Sequence, residues 1–88
     1  MGTPRITVYT KAYCPYCVRA KALLTRKGVA FEEVSVEGKD ELRTWLVEAS
    51  GQRTVPQIFA GERSLGGFSD LAALDEEGTL DPILRGEG

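Results

Sequence analysis

Ile6-Thr7-Val8-Tyr9-Thr10-Lys11-Ala12-Tyr13-Cys14-Pro15-Tyr16-Cys17 is the stretch from which the rest of this chain can be read. Its first part is short, β-branched and aromatic, with Ile6 and Val8 on one face, and predicts a strand over residues 5–10. Its last part sets two thiols three residues apart at the mouth of a helix. Pro15 suits the first helical position, where its missing N–H costs nothing. A helix N-terminus carries unpaired N–H groups and partial positive charge, which favour a thiolate over a thiol. Cys14 is therefore expected to be the attacking sulfur of a thiol–disulfide exchange, and Cys17, one turn on, the sulfur that resolves the product. At 100° per residue Cys17, Ala20, Leu23 and Leu24 fall in one arc. That phase turns Cys17 to the core side and leaves Cys14 at an exposed helix mouth.

Outward from the dithiol, the helix is expected to run to Gly28, a residue suited to a left-handed C-terminal cap. Residues 29–36 predict a second strand with Phe31, Val34 and Val36 as its apolar members. Leu42, Trp45, Leu46 and Ala49 then recur at i, i+3, i+4 and i+7, an amphipathic helix ending at Gly51. Gln57–Ala60 and residues 63–65 predict a hairpin joined by Gly61-Glu62. Gly66-Gly67 breaks the run, Ser69-Asp70 opens a third helix with Leu71 and Leu74, and this stops near Gly78. Leu80, Ile83 and Leu84 around Pro82 predict one more short turn on the core, before a frayed Gly86-Glu87-Gly88 end.

The order strand, helix, strand, helix, hairpin, helix implies a parallel first pair with a right-handed crossover, plus antiparallel strands. The expected architecture is α/β: one mixed four-stranded sheet with helices on both faces. Nothing in the sequence reads as a linker, repeat or low-complexity stretch, so residues 1–88 are expected to form one domain.

Composition narrows the function. Eleven Lys plus Arg against thirteen Asp plus Glu leave a net charge of −2, which offers no bulk attraction to nucleic acid or anionic membrane. Locally, the charged residues between positions 11 and 27 are Lys11, Arg19, Lys21, Arg26 and Lys27, all positive. The dithiol is thus expected in a basic neighbourhood that favours an anionic substrate. With two Cys and no His, the chain has neither the four ligands of a closed zinc site nor a Cys–His catalytic pair, so no metal is expected. No apolar run approaches the ~20 residues of a membrane span. Met1-Gly2-Thr3-Pro4-Arg5 lacks the basic start and apolar segment of a secretory signal, which makes a reducing, cytoplasmic setting the expectation.

Three separated motifs carry a resemblance: Tyr9-Thr10-Lys11 leading into Cys14-Pro15-Tyr16-Cys17, then Thr54-Val55-Pro56, then Gly66-Gly67-Phe68-Ser69-Asp70-Leu71. Over essentially the whole chain it resembles the dithiol glutaredoxins, of the thioredoxin-like fold. The resemblance implies glutathione as reducing co-substrate, no tightly bound cofactor, and reduction of protein disulfides and glutathione mixed disulfides. In that family the second cysteine serves protein disulfides and is dispensable for glutathione mixed disulfides. Disulfide-containing or glutathionylated proteins would be the partners, ribonucleotide reductase among the candidates, acting on a monomer.

The resemblance also assigns glutathione contacts. Lys11 and Arg43 would meet the glycine carboxylate, although Lys11 alone also reads as a solvated lysine and Arg43 as a solvent-face residue beside Asp40 and Glu48. Tyr16 would pack on the ligand, while Tyr13 reads as plain packing. Thr54, Val55 and Pro56 would present backbone to an extended substrate. Base rates favour a trans Val55-Pro56 bond, and the resemblance implies cis. Gly67, Ser69 and Asp70 would take the γ-glutamyl end: the helix N-terminus its carboxylate and Asp70 its ammonium. The competing reading makes Ser69 an N-cap and Asp70 a first-turn acid. Two rival functions share the dithiol: a dimer bridging a glutathione-ligated [2Fe–2S] cluster through Cys14, which Pro15 disfavours, and an electron donor recharged by thioredoxin reductase.

Overall fold

The computed structural model describes residues 3–86, so the expected fraying at Glu87 and Gly88 lies outside the described residues. In chain order the elements are β1 (Ile6–Thr10), α1 (Pro15–Arg26), β2 (Glu32–Ser35), α2 (Asp40–Ser50), β3 (Gln57–Ala60), β4 (Arg63–Gly66), α3 (Phe68–Glu76) and α4 (Leu80–Leu84). The strands form one sheet in the order β2-β1-β3-β4; β1 pairs parallel with β2 and antiparallel with β3, and β3 pairs antiparallel with β4. This is the mixed four-stranded sheet expected, of thioredoxin-like form.

Side-chain alternation along the two central strands divides the core between the faces of the sheet. Ile6 and Val8 of β1 and Ile58 of β3 pack with Ala20, Leu23 and Leu24 of α1, Leu71 of α3, and Leu80, Ile83 and Leu84 of α4. Phe59 of β3 faces the other way, onto Val36 and Leu46, with Tyr9, Leu42 and Val55 alongside. Helices therefore cover both faces, and every residue of β3 is buried. The five-residue tail helix joins the first of these clusters, as the spacing of Leu80, Ile83 and Leu84 predicts.

Two element boundaries and one burial pattern differ from expectation. The second strand pairs only over Glu32–Ser35, because the five residues of β1 limit the ladder; Val29 and Phe31 precede it and pack on the larger core cluster as loop residues. On α2 only Leu46 is fully buried, Ala49 is exposed, and Trp45 stays 44% exposed while stacking on Phe59 at 5.7 Å and meeting Tyr9 at a tilt at 5.6 Å. The third helix begins at Phe68 with Gly67 as its N-cap, two residues before Asp70 rather than at Ser69. Gly51, at φ 75°, ends α2 in the left-handed conformation anticipated for it.

Candidate active site

The loop after β1 delivers Cys14 as the N-cap of α1, in extended conformation, with Pro15 following at the start of the helix. Its Sγ accepts the backbone N–H of Cys17 at 3.2 Å, one of the donors a helix terminus leaves open. On the other side the Cys14 thiol donates to the Val55 carbonyl at 3.8 Å. These contacts enclose the sulfur. Cys14 is 8% exposed rather than standing open at the helix mouth, because the Val55 segment covers it. Tyr13 is the opposite surprise: it takes φ 56° and is wholly exposed, so it packs against nothing. The turn that swings Cys14 inward carries Tyr13 out. The same loop is anchored from across the β2–α2 connection, where the Glu37 carboxylate accepts the Ala12 N–H at 3.1 Å.

Cys17 is 2% exposed on the core side of α1, as its helical phase predicts. Burial, and next the hydrogen bond with Cys14, push its thiol up to about 11, against smaller downward pulls from the Lys11 backbone and the Lys21 charge. It is a protonated thiol at neutral pH. Both cysteines are free.

The Val55-Pro56 peptide is cis. Around it lie two adjoining clefts that share Gln52, Thr54 and Val55. The first, about 170 Å³, is lined further by Lys11, Arg43 and Arg53 over apolar Val36, Leu46 and Val47. The second, about 280 Å³, runs from Tyr16 and Pro56 to Gly67, Phe68, Ser69 and Asp70 at the start of α3. Lys11, Tyr16, Arg43, Thr54, Val55, Pro56, Gly67, Ser69 and Asp70 all line one or the other. Cys14 adjoins both through Val55, whose carbonyl it touches. Arg43 forms no ion pair with Asp40 or Glu48 among the described residues.

The basic neighbourhood inferred from positions 11–27 is partly neutralised in three dimensions. Lys21 is paired with Glu33 at 3.1 Å, Lys27 with Asp75 and Asp81, and Arg19 lies 5.3 Å over the Tyr16 ring. The positive charge of the first cleft comes from Lys11 of that stretch, on the dithiol loop, joined by Arg43 on α2 and Arg53 beside the cis peptide.

At the far end, Asp70 Oδ2 accepts the Gly67 N–H at 3.0 Å, a first-turn acid capping its own helix. Gly66 is required there: at φ 87° it is left-handed, and a Cβ would run into the Asp70 carboxylate. Sequence reading passed over four participants: Gln52 and Arg53, which flank the Thr54-Val55-Pro56 motif; Phe68, 6.1 Å from Tyr16 across the second cleft; and Glu37. Adjacency to a recognised motif was a usable signal for the first two; Glu37 had none.

A dithiol with unlike sulfurs, set at the end of β1 against a cis-proline segment on a thioredoxin-like sheet, defines a thiol–disulfide oxidoreductase. The chain belongs to the glutaredoxin family, whose sequence model, described as Glutaredoxin, matches residues 6–65. A glutaredoxin of Pseudomonas aeruginosa is 53% identical over 81 residues, which span 92% of this chain and 96% of that one. Glutaredoxin 3 of Escherichia coli K12 is 50% identical over 80 residues, 91% of this chain and 96% of its relative. Among solved structures, a Brucella melitensis glutaredoxin superposes with TM-score 0.85 at 47% identity, covering 97% of this chain and 92% of that one. A buckwheat glutaredoxin–glutathione complex superposes with TM-score 0.88 at 31% identity, covering 97% and 80%.

Proposed function

We propose that this oxidoreductase draws its electrons from glutathione and reduces both glutathione mixed disulfides and protein disulfides. One observation carries the reading: the two clefts meeting at Val55 offer cations at one end and a helix N-terminus with an acid at the other. Glutathione carries two carboxylates and one ammonium. Its glycine carboxylate matches Lys11 and Arg43, its cysteinyl backbone the Thr54-Val55-Pro56 segment beside Cys14, and its γ-glutamyl carboxylate the N-terminus of α3 at Gly67 and Ser69. Asp70 matches the ammonium, and Tyr16 packs over the second cleft. The buckwheat relative in complex with glutathione supports this reading.

The reaction follows from the unlike sulfurs. The Cys14 thiolate attacks the glutathione sulfur of a mixed disulfide; that S–S bond breaks and the other thiol leaves as thiolate. A second glutathione thiolate then attacks the sulfur now bound to Cys14, releasing glutathione disulfide and restoring the Cys14 thiolate. With a protein disulfide, Cys17 loses its proton and attacks the Cys14 sulfur, forming the Cys14–Cys17 disulfide that two glutathiones reopen. The Cys14 hydrogen bond and charge are among the causes that keep Cys17 protonated. Once Cys14 is held in a mixed disulfide its negative charge is gone, and Cys17 ionises more readily when it is needed.

The 88 residues are taken to work as one monomeric domain in the cytoplasm; no helix among the described residues is long and apolar enough to cross a membrane. Glutathione-dependent turnover of a small mixed disulfide by wild type, Cys14→Ser and Cys17→Ser tests the reading. Loss in the first variant and retention in the second are expected. Full activity of the Cys14→Ser protein, or turnover indifferent to glutathione, overturns it.

A further inference from the structure

A chain of side-chain amides links the cis-proline segment to the start of α3. Gln57, the residue after Pro56, is completely buried, and its Nε2 donates to the Thr54 carbonyl at 3.0 Å and to Gln52 Oε1 at 2.8 Å. Gln52 Nε2 in turn donates to Asp70 Oδ2 at 3.2 Å. The polarity of this chain is forced. Reversing the Gln57 amide would set its oxygen against two acceptors, Thr54 O and Gln52 Oε1, so its NH2 must face them. Gln52 then has to present its own oxygen to Gln57, which leaves its NH2 for Asp70. The direction is held even though Gln57 Oε1 goes without a partner.

The consequence falls on one carboxylate. Asp70 Oδ2 receives two donors, the Gly67 N–H and the Gln52 amide, which together hold that oxygen in place. Oδ1 has no hydrogen-bond partner among the described residues, and Asp70 lines the second cleft. We propose that Gln52 is a positioning residue for substrate recognition: its polarity-locked amide fixes the rotation of Asp70, so that Oδ1 is presented to the ammonium group of the substrate. Gln52 thereby confers preference for a γ-glutamyl end bearing a free amine. This rests on glutathione being the substrate and on Asp70 meeting its ammonium.

The test compares wild type with Gln52→Met on two peptides, one disulfide-linked to glutathione and the other to the same tripeptide lacking the γ-glutamyl amine. The readout is the second-order rate of peptide thiol release. Gln52 is exposed, and in the variant Gln57 keeps the Thr54 carbonyl but loses Gln52 Oε1, so the thermal midpoint should fall by several degrees with both proteins folded at the assay temperature. Loss of a hydrogen bond to a charged group predicts a roughly 10- to 150-fold slower reaction on the glutathionylated peptide, with the deaminated one unchanged within about twofold. Equal slowing on both peptides, or none on either, refutes the positioning role and leaves the glutathione reading standing. A wild type that reacts with both peptides equally removes the Asp70–ammonium contact and the inference together.

Discussion

The Cys17 N–H lies 3.2 Å from the Cys14 sulfur, so the residue that supplies the second thiol also supplies, through its backbone, a hydrogen bond to the first. One helical turn thus separates two roles that the sequence presents as two similar thiols. The backbone of Cys17 donates to the Cys14 sulfur, while its own side chain is buried and kept protonated.

That asymmetry has a titration signature. In Cys14→Ser the hydrogen bond and charge of Cys14 are gone but burial, the largest influence on Cys17, remains, so its iodoacetamide reaction should keep accelerating above pH 9 and level off short of the wild-type value of about 11. A rate that levels off by pH 9 contradicts the burial account.

Gly66→Ala should destabilise the fold by about 1–3 kcal/mol, since the new Cβ meets the Asp70 carboxylate and the backbone is left-handed there. Denaturant unfolding measures the loss. Because Asp70 must move to relieve the clash, affinity for glutathione should fall in the same variant. Gly61→Ala is the control: also at positive φ but with open space around it, it should show the conformational cost alone and leave glutathione binding intact.

Glu33 ties the edge strand β2 to β1 and α1, accepting from Thr10 Oγ1 at 2.9 Å and from Lys21 Nζ at 3.1 Å. First the Thr10 hydrogen bond and then the Lys21 bond lower its carboxyl below 4.5. A group whose folded value is depressed stabilises the protein above its unfolded value, and that contribution disappears as pH falls through the folded one. The thermal midpoint of wild type should therefore exceed that of Glu33→Gln near neutrality, and the gap should close as pH drops below 4.5. A gap that is constant across this range, or that widens in acid, contradicts the pairing.

Glu37→Ala should loosen the dithiol loop without unfolding the protein, because it removes the acceptor for the Ala12 N–H from an exposed position. Amide exchange at Ala12 should quicken markedly while that of buried Val8 stays within about twofold of wild type, in keeping with local rather than global opening.

Much of this fold was legible because local signals agreed: Pro15 opening a helix, Gly51 ending one, and alternating Ile6 and Val8 facing a core. The glutathione-contact candidates came from motif resemblance, and each of those residues lines one of the two clefts. What stayed hidden depends on approach between distant segments. The covering of Cys14 needs Val55 folded over it, and the full exposure of Tyr13 needs the turn that buries its neighbour. The basic stretch kept Lys11 at the cleft, while Glu33, Asp75 and Asp81 arrived from other elements to pair Lys21 and Lys27. Gln52 and Gln57 read as ordinary polar residues until the strand and helix that carry their partners are packed together.

Limiting alkylation of the reduced wild-type protein at pH 7 tests the division of labour between the sulfurs most directly. Cleavage after Lys11 and Arg19 yields one peptide holding both cysteines, and fragmentation assigns the label within it. The account predicts label on Cys14, with Cys17 unmodified until the first sulfur is blocked. Label on Cys17 first, or equally on both, would contradict it.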